Sequence, residues 1–207
     1  MSAADPYRRL ARIYDRVIEP MQAGVRRVSL EVVPPRPGWQ VLDVGCGTGT
    51  GLDPYVAAGC TVAGVDVSPA MLEQAAARLG DRAELQLTDG GTLPFDGNRF
   101  DLVTSSMVLH EVPAAQREAF IGEMGRVAKP DGKLLLIDFR HGSLRGWRGP
   151  ALRGLSTVIE RFSGHYPGYR SFRAGGGVPG LLREGRIERE KIVAGGIIAI
   201  YVLTPGP

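Results

Sequence analysis

Gly45, Gly47, Gly49 and Gly51 recur at every second position behind an apolar run, Val41–Val44, that carries the acid Asp43. Glycines in this number after a strand let the backbone turn sharply and approach a ligand closely. A pyrophosphate is one candidate ligand. The dinucleotide fingerprint G-x-G-x-x-G fails, however, because the sixth position is Thr50 from Gly45, Leu52 from Gly47 and Pro54 from Gly49. A Walker-type loop fails too, since no Gly-Lys-Ser/Thr follows. Asp43 beside the loop is poor company for a phosphate and good company for a cation. Asp66 ends the next apolar run, where a carboxylate can grip both hydroxyls of a ribose. Asp89 and Gly90 follow a third run, in reach of an adenine amino group.

These residues together imply a nucleoside with a positively charged, phosphate-free tail. S-adenosylmethionine fits, with its sulfonium, α-amino group, ribose and adenine. Other side chains could act on a second molecule. His110, in "VLHEV", is the best-placed general base if an acceptor must lose a proton, since imidazole titrates near neutrality. The alternative is that His110 caps the following turn or forms part of the pocket wall. His165, Tyr166, Tyr169 and Arg170 form a second polar-aromatic cluster, read either as acceptor contacts or as surface loop, and Tyr14 is placed to close over the cofactor. Cys46 reads as a small filler with no cationic neighbour to activate its thiol. No HxxxH motif or Cys/His cluster is present, so no metal is expected.

A rhythm of strand, loop and helix must position these groups. Strands are expected at "QVLDVG", "GCTVAGVDV", "AELQLTD", "RFDLVTSSM" and "KLLLIDF", and their near-continuous apolar character argues for a parallel sheet covered on both faces. Ser68 reads as a helix N-cap, Pro69 as the first helical position and Gly80 as the stop. A second helix is expected over "PAAQREAFIGEMGRVA", with Phe120, Met124 and Val127 on one face and a "KPDG" turn after it. A third is expected near Ala151–Phe162. "RIEREKIV" and "IIAIYVL" read as a terminal hairpin whose first member, charged on both faces, is an edge strand. Helical spacing over residues 7–19 gives a short basic amphipathic helix that Pro20 should end. The "VPPRPG" run is a linker.

The 207 residues suit one α/β domain, and the ordinary hydrophobic content of 43% argues against global disorder. "MSAADPYRRLARIYD" lacks the apolar core of a secretory signal, so none is expected there, and the longest late apolar run, Ile192–Leu203, is too short for a membrane span. Two cysteines give no disulfide framework and favour a reducing cytoplasm. Charge is segregated: residues 41–139 hold 7 Lys/Arg against 14 Asp/Glu, while residues 1–40 hold 7 against 4 and residues 140–190 hold 10 against 4. Such flanks could serve a membrane surface at the inner face, reached through residues 7–19. No RNA-binding module and no "NPPY"-type motif are present, which disfavours nucleic acid.

"VLDVGCGTG", "GVDVSPAML", "LTDGGTLPF", "FDLVTSSMVLHEV" and "AKPDGKLLLIDF" stand in an order and spacing that resembles class I S-adenosylmethionine-dependent methyltransferases. More narrowly the chain resembles the small ubiquinone/menaquinone C-methyltransferases and bacterial phospholipid N-methyltransferases, closely over residues 7–139 and more loosely over 165–203. The resemblance implies a Rossmann-like, doubly wound, mostly parallel seven-stranded sheet with an antiparallel C-terminal strand. It divides one domain into an N-terminal helical cap (1–38), a cofactor-binding core (39–139), and a substrate lid with hairpin (140–207). It further implies that Asp43 and the loop of Gly45, Cys46, Gly47, Thr48 and Gly49 lie at the methionine and ribose. Asp66 would hold the ribose hydroxyls, Val67 and Met71 would pack at the adenine, Asp89 and Gly90 would meet its edge, and Ser106 would lie near the methionine end. The implied activity is methyl transfer to a quinone precursor, a phospholipid head group or another small acceptor. A methyltransferase of a soluble metabolite and a non-catalytic cofactor-binding module are the alternatives.

Overall fold

A computed structural model of the chain describes residues 19–182 and 186–206. Seven strands form one sheet: β1 (Gln40–Val44), β2 (Thr61–Asp66), β3 (Ala83–Leu87), β4 (Phe100–Ser106), β5 (Ala128–Phe139), β6 (Ile187–Val193) and β7 (Ile198–Leu203). Their order is β3-β2-β1-β4-β5-β7-β6. The first five pair in parallel, and β7 lies antiparallel between β5 and β6. The charged strand β6 is therefore the edge, as its pattern requires. The strand order reverses between β1 and β4, and in such sheets a crevice opens at the carboxyl ends of the strands there.

Parallel strands are buried on both faces, and successive side chains divide the core accordingly. Leu42, Val44, Val103, Leu134 and Leu136 join one apolar cluster. Val41, Leu102, Leu135 and Ile137 join the other. The helices α1 (Glu19–Val32), α2 (Asp53–Ala57), α3 (Pro69–Leu79), α4 (Arg117–Val127), α5 (Arg148–Ser163) and α6 (Tyr166–Ala174) flank the sheet. The α3 boundaries follow their local chemistry: Ser68 Oγ accepts the Met71 N–H at 3.1 Å, Pro69 opens the helix, and Gly80 takes φ +54° at its end. Met71, Ala75 and Leu79 then form its buried face. In α4 the buried face is Arg117, Ile121, Met124 and Val127, with Phe120 only partly buried.

Three elements depart from the sequence reading. Residues Glu19–Val32 form α1, a helix beyond Pro20 that the sequence reading did not assign. Of the helix expected over residues 7–19, residues 7–18, including Tyr14, lie outside the described residues. "KPDG" is looped out within β5, where Phe100 pairs with Ala128 and Leu102 with Lys133. Residues 140–180, where the sequence showed one helix near Ala151–Phe162, hold a second helix, α6. Among the described residues no helix is long and apolar enough to cross a membrane.

Where β1 meets the glycine loop, close packing decides residue identity. A Cβ on Gly64 of β2 would stand 2.8 Å from Cys46 Sγ and 3.1 Å from Leu52 Cδ1. Cys46 thus fills the space that Gly64 leaves, and overpacking such a site strains the core. Gly64→Ala is expected to lower stability by about 1–3 kcal/mol. A double-mutant cycle with Cys46→Ala, read by urea unfolding, should recover part of that loss.

Candidate active site

The loop after β1 is held from three sides. Val65 O, in β2, accepts the N–H groups of Gly45 at 2.8 Å and Cys46 at 3.0 Å. Asp66 Oδ2 accepts the Gly47 N–H at 2.9 Å, and Oδ1 accepts the Ser68 N–H at 2.9 Å. From α3, Arg78 Nε donates to Thr48 O at 3.1 Å. Burial raises the Asp66 carboxyl, while the N–H groups of Ser68, Gly47 and Val67 draw it back down. Three N–H groups on about four lone-pair sites leave the carboxylate room for one further donor. Gly47 takes φ +53°, and no atom lies within 4 Å of where its Cβ would be. It is the open side of the loop. Gly45 is closed instead, since a Cβ there would overlap Val108.

Asp43 sits behind this loop, 5% exposed, with no hydrogen-bond partner on Oδ1. A Cβ at Gly51 would stand 2.8 Å from its Oδ2, so the fourth glycine leaves room for the carboxyl. Burial raises Asp43 to about 7, with the Arg26 guanidinium opposing and the Asp66 carboxylate adding to the rise. Burial likewise pushes the Cys46 thiol well above its usual range, which leaves it no thiolate for nucleophilic work.

A cavity of about 430 Å³ opens at the carboxyl ends of β1, β2, β3 and β4. Of the residues singled out for the cofactor, Gly45, Gly47, Asp66, Val67, Met71, Asp89, Gly90 and Ser106 line it. Asp43, Cys46, Thr48 and Gly49 do not, and form the layer behind. Val67 is half exposed into the cavity, and Asp89 Oδ1 holds the Gly91 N–H at 2.9 Å, which shapes the turn beside Gly90. Several lining residues escaped the sequence reading: Met107, Val108, Glu111, Val112, Pro113 and Phe120 give the wall an apolar stretch with one carboxylate. Met107 takes φ +60°, a strained conformation for a bulky residue, and its N–H is fixed to Ile137 O at 2.8 Å. The only available signal was position, just past the end of β4.

The second cluster divides. His165 lines the cavity, and its Nδ1 lies 3.0 Å from Glu111 Oε1. That hydrogen bond raises the imidazole above its ordinary value, against the effect of burial. Tyr169 is buried edge-on to Phe139, at 4.6 Å between ring centroids, and Tyr166 packs half-buried on the core. Arg170 is exposed, and none of these three lines the cavity.

His110 is 1% exposed and does not reach the cavity surface. Its Nδ1 bonds Asp138 Oδ1 at 2.8 Å, and Asp138 Oδ2 accepts the His110 N–H at 3.2 Å. Its Nε2 faces Glu160 Oε1 at 3.6 Å and Glu111 Oε1 at 3.8 Å. Burial disfavours the imidazolium, but the charge and hydrogen bond of Asp138, then Glu160 and Glu111, outweigh it and raise His110 to about 10. Beside it Arg117, 3% exposed, donates to the carbonyls of Leu109, Val112, His110 and Gly168 and to Ser171 Oγ, at 2.9–3.4 Å. One guanidinium thus ties the loop after β4 to α6.

The raised His110 fixes the sign of a pH effect. The imidazolium is favoured in the folded chain, so its contribution is full below the unfolded value of 6.5 and is lost as pH rises towards about 10. Urea unfolding between these limits should show stability falling by at most about 1.4 kcal/mol per pH unit from this group. His110→Asn should flatten that alkaline slope, and an unchanged slope would assign it to other groups.

Residues 41–132 match the family model of a methyltransferase domain. Demethylmenaquinone methyltransferase of Renibacterium salmoninarum is 36% identical over 148 residues, covering 70% of this chain and 61% of the relative. Nocamycin O-methyltransferase of Saccharothrix syringae is 36% identical over 160 residues, covering 73% and 56%. The chain therefore spans about three-fifths of the length of these curated relatives. Among solved structures, a chain of the Haloferax volcanii complex between the Trm112 methyltransferase activator and its proposed methyltransferase superposes with TM-score 0.72 at 17% identity. That match covers 100% of both chains and bears on the fold alone. With the strand order, the tethered glycine loop and the cavity at the sheet's switch point, these likenesses give the chain the fold of the class I S-adenosylmethionine-dependent methyltransferases.

Proposed function

We propose that the chain transfers a methyl group from S-adenosylmethionine to a small-molecule acceptor. The carrying observation is the fit of the cavity to a cationic nucleoside. Asp66 keeps room for a further donor at the end of β2, Gly47 leaves open space, Val67 presents an apolar face, and a partnerless carboxyl oxygen of Asp43 lies behind the loop. When bound, the sulfonium supplies an activated methyl and a good leaving group. The protein's part is then to bind, align and exclude water. Asp66 holds the ribose, Val67 and Met71 pack at the adenine, Asp89 and Gly90 read its edge, and Ser106 lies at the methionine end.

The acceptor is an apolar ring compound of the quinone-precursor kind. Met107, Val108, Val112, Pro113 and Phe120 supply its wall, and the Renibacterium relative is named for such a substrate. Glu111 with His165 is the polar pair on that wall and the group that can receive an acceptor proton. His110 has no access to the cavity and keeps its own proton near neutrality, so its role is to position Glu111 and the lid. The Saccharothrix relative, named for an O-methylation, supports a second reading in which the acceptor is a soluble metabolite with a hydroxyl.

Methyl-labelled S-adenosylmethionine incubated with the protein and host-cell extract should yield label that partitions into organic solvent. Label confined to water would move the acceptor to the soluble class. Binding of the cofactor with no label in either phase would leave a non-catalytic binding module. Asp66→Ala should weaken S-adenosylhomocysteine binding in calorimetry by about tenfold or more, equivalent to roughly 1.4 kcal/mol. A loss within about threefold would sink the cofactor geometry proposed here.

A further inference from the structure

Among the described residues six large apolar side chains are exposed: Val67, Leu87, Trp147, Leu155, Val158 and Phe162. Val67 lines the cavity, and Leu87 ends β3 beside it. The other four belong to one stripe. Trp147, at the N-cap of α5, is 78% exposed, and Leu155, Val158 and Phe162 are 47%, 49% and 88% exposed. With the exposed Ala151 they recur at steps of three or four along the helix, so they share one face. A run of this length on a soluble surface marks a place where something docks.

The charge around the stripe is of one sign. Between Arg140 and Leu182 seven arginines stand against one acid, Glu160, which is buried and turned towards His110. Arg145, Arg148, Arg161 and Arg170 are exposed, and the Arg148 guanidinium lies 5.5 Å over the Trp147 ring. No acid on α5 or α6 offsets them at the surface. We infer that this face of α5 docks on an anionic lipid surface, with Trp147, Leu155, Val158 and Phe162 in the acyl boundary and the arginines at the head groups.

Aromatic and aliphatic side chains on one face with arginine on its borders are what an interfacial helix needs. The other occupants fit the charge poorly. A second copy would bring the same arginines against one another. The chain's own residues 7–18 carry Arg8, Arg9, Arg12 and Arg16 against one acid, Asp15, and meet the same repulsion. The inner face of α5, with Ser156 and Glu160 buried, closes over His110, so the docked helix is also the roof of the polar network behind Glu111. The surface stands without the methyl-transfer reading.

The test uses the full chain carrying Trp39→Phe, which leaves Trp147 as the sole tryptophan. It should co-sediment with vesicles of phosphatidylglycerol mixed with phosphatidylcholine and not with phosphatidylcholine alone. Trp147 emission should shift to the blue on binding, and raised salt should reverse it. The double substitution Leu155→Ser with Phe162→Ser should weaken vesicle binding by about tenfold or more. S-adenosylhomocysteine affinity should stay unchanged in that variant, which shows that it folds. Absence of co-sedimentation with anionic vesicles, or equal binding by the double variant, would overturn the proposal. Trp147 emission already blue-shifted without lipid would overturn it too, in favour of a second copy if light scattering gives a dimer mass and of the chain's own residues if a monomer. Neither cofactor nor acceptor is present in the vesicle assay, so its failure leaves the proposed methyl transfer standing.

Discussion

The glycine loop holds its shape because β2 holds it. Three positive-φ glycines in five residues would cost conformational entropy wherever the loop was free to move. Val65 O and the Asp66 carboxylate remove that freedom by accepting the N–H groups of Gly45, Cys46 and Gly47 in turn. A carboxylate accepting an amide N–H makes a charge-assisted bond worth about 1.5–3 kcal/mol. The Gly47 bond, with those from Ser68 and Val67, opposes the burial that raises the Asp66 carboxyl. The rest of the loop follows from this tether. Gly64 is bare so that Cys46 can sit under the turn, Gly51 is bare so that Asp43 can, and Gly47 remains the side left open.

The far side of the cavity is built on a different principle. There the chain buries charge instead of bending glycine. Asp138 at the end of β5, His110 after β4, Glu160 on α5 and Arg117 on α4 meet in a nearly dry space. Removing one member of such a group leaves the others uncompensated, a larger loss than the pair itself contributes. The network ties the loop after β4 to both α6 and α5. Its reach to the cavity is through Glu111, which shares His165 on the open side and faces His110 on the buried side.

This difference explains what the sequence disclosed. Backbone-driven features are local, so Gly45 to Gly51, Asp66, Ser68 with Pro69, and the charged edge strand β6 could be read from neighbours in the chain. Features made by distant partners could not. Arg117 looks like any helix-opening arginine until Gly168 and Ser171, more than fifty residues away, are brought to it. His110 read either as a general base or as part of the turn and pocket wall, because nothing in "VLHEV" reveals Asp138 or Glu160. Tyr169 and Arg170 were adjacent members of one cluster, yet one turn of α6 buries the first and exposes the second. A weak clue to α6 was present in Pro167 near its start and in the spacing of Tyr169 and Phe172.

Charge completes the connection between the two halves. The acidic centre of the chain is gathered at the mouth of the parallel sheet, where Asp66, Asp89, Glu111 and Glu123 line one cavity and Asp43 stands behind it. Such a field repels phosphate and attracts a cation. Asp43 records its strength: burial first, and the Asp66 charge besides, raise it to about 7 despite Arg26. A phosphate placed nearby would raise it further and forfeit its own binding energy, whereas a sulfonium or ammonium group would lower it and be held the more firmly. The missing phosphate motif and the raised carboxyl are therefore two consequences of one arrangement, an anionic pocket floored by glycine backbone.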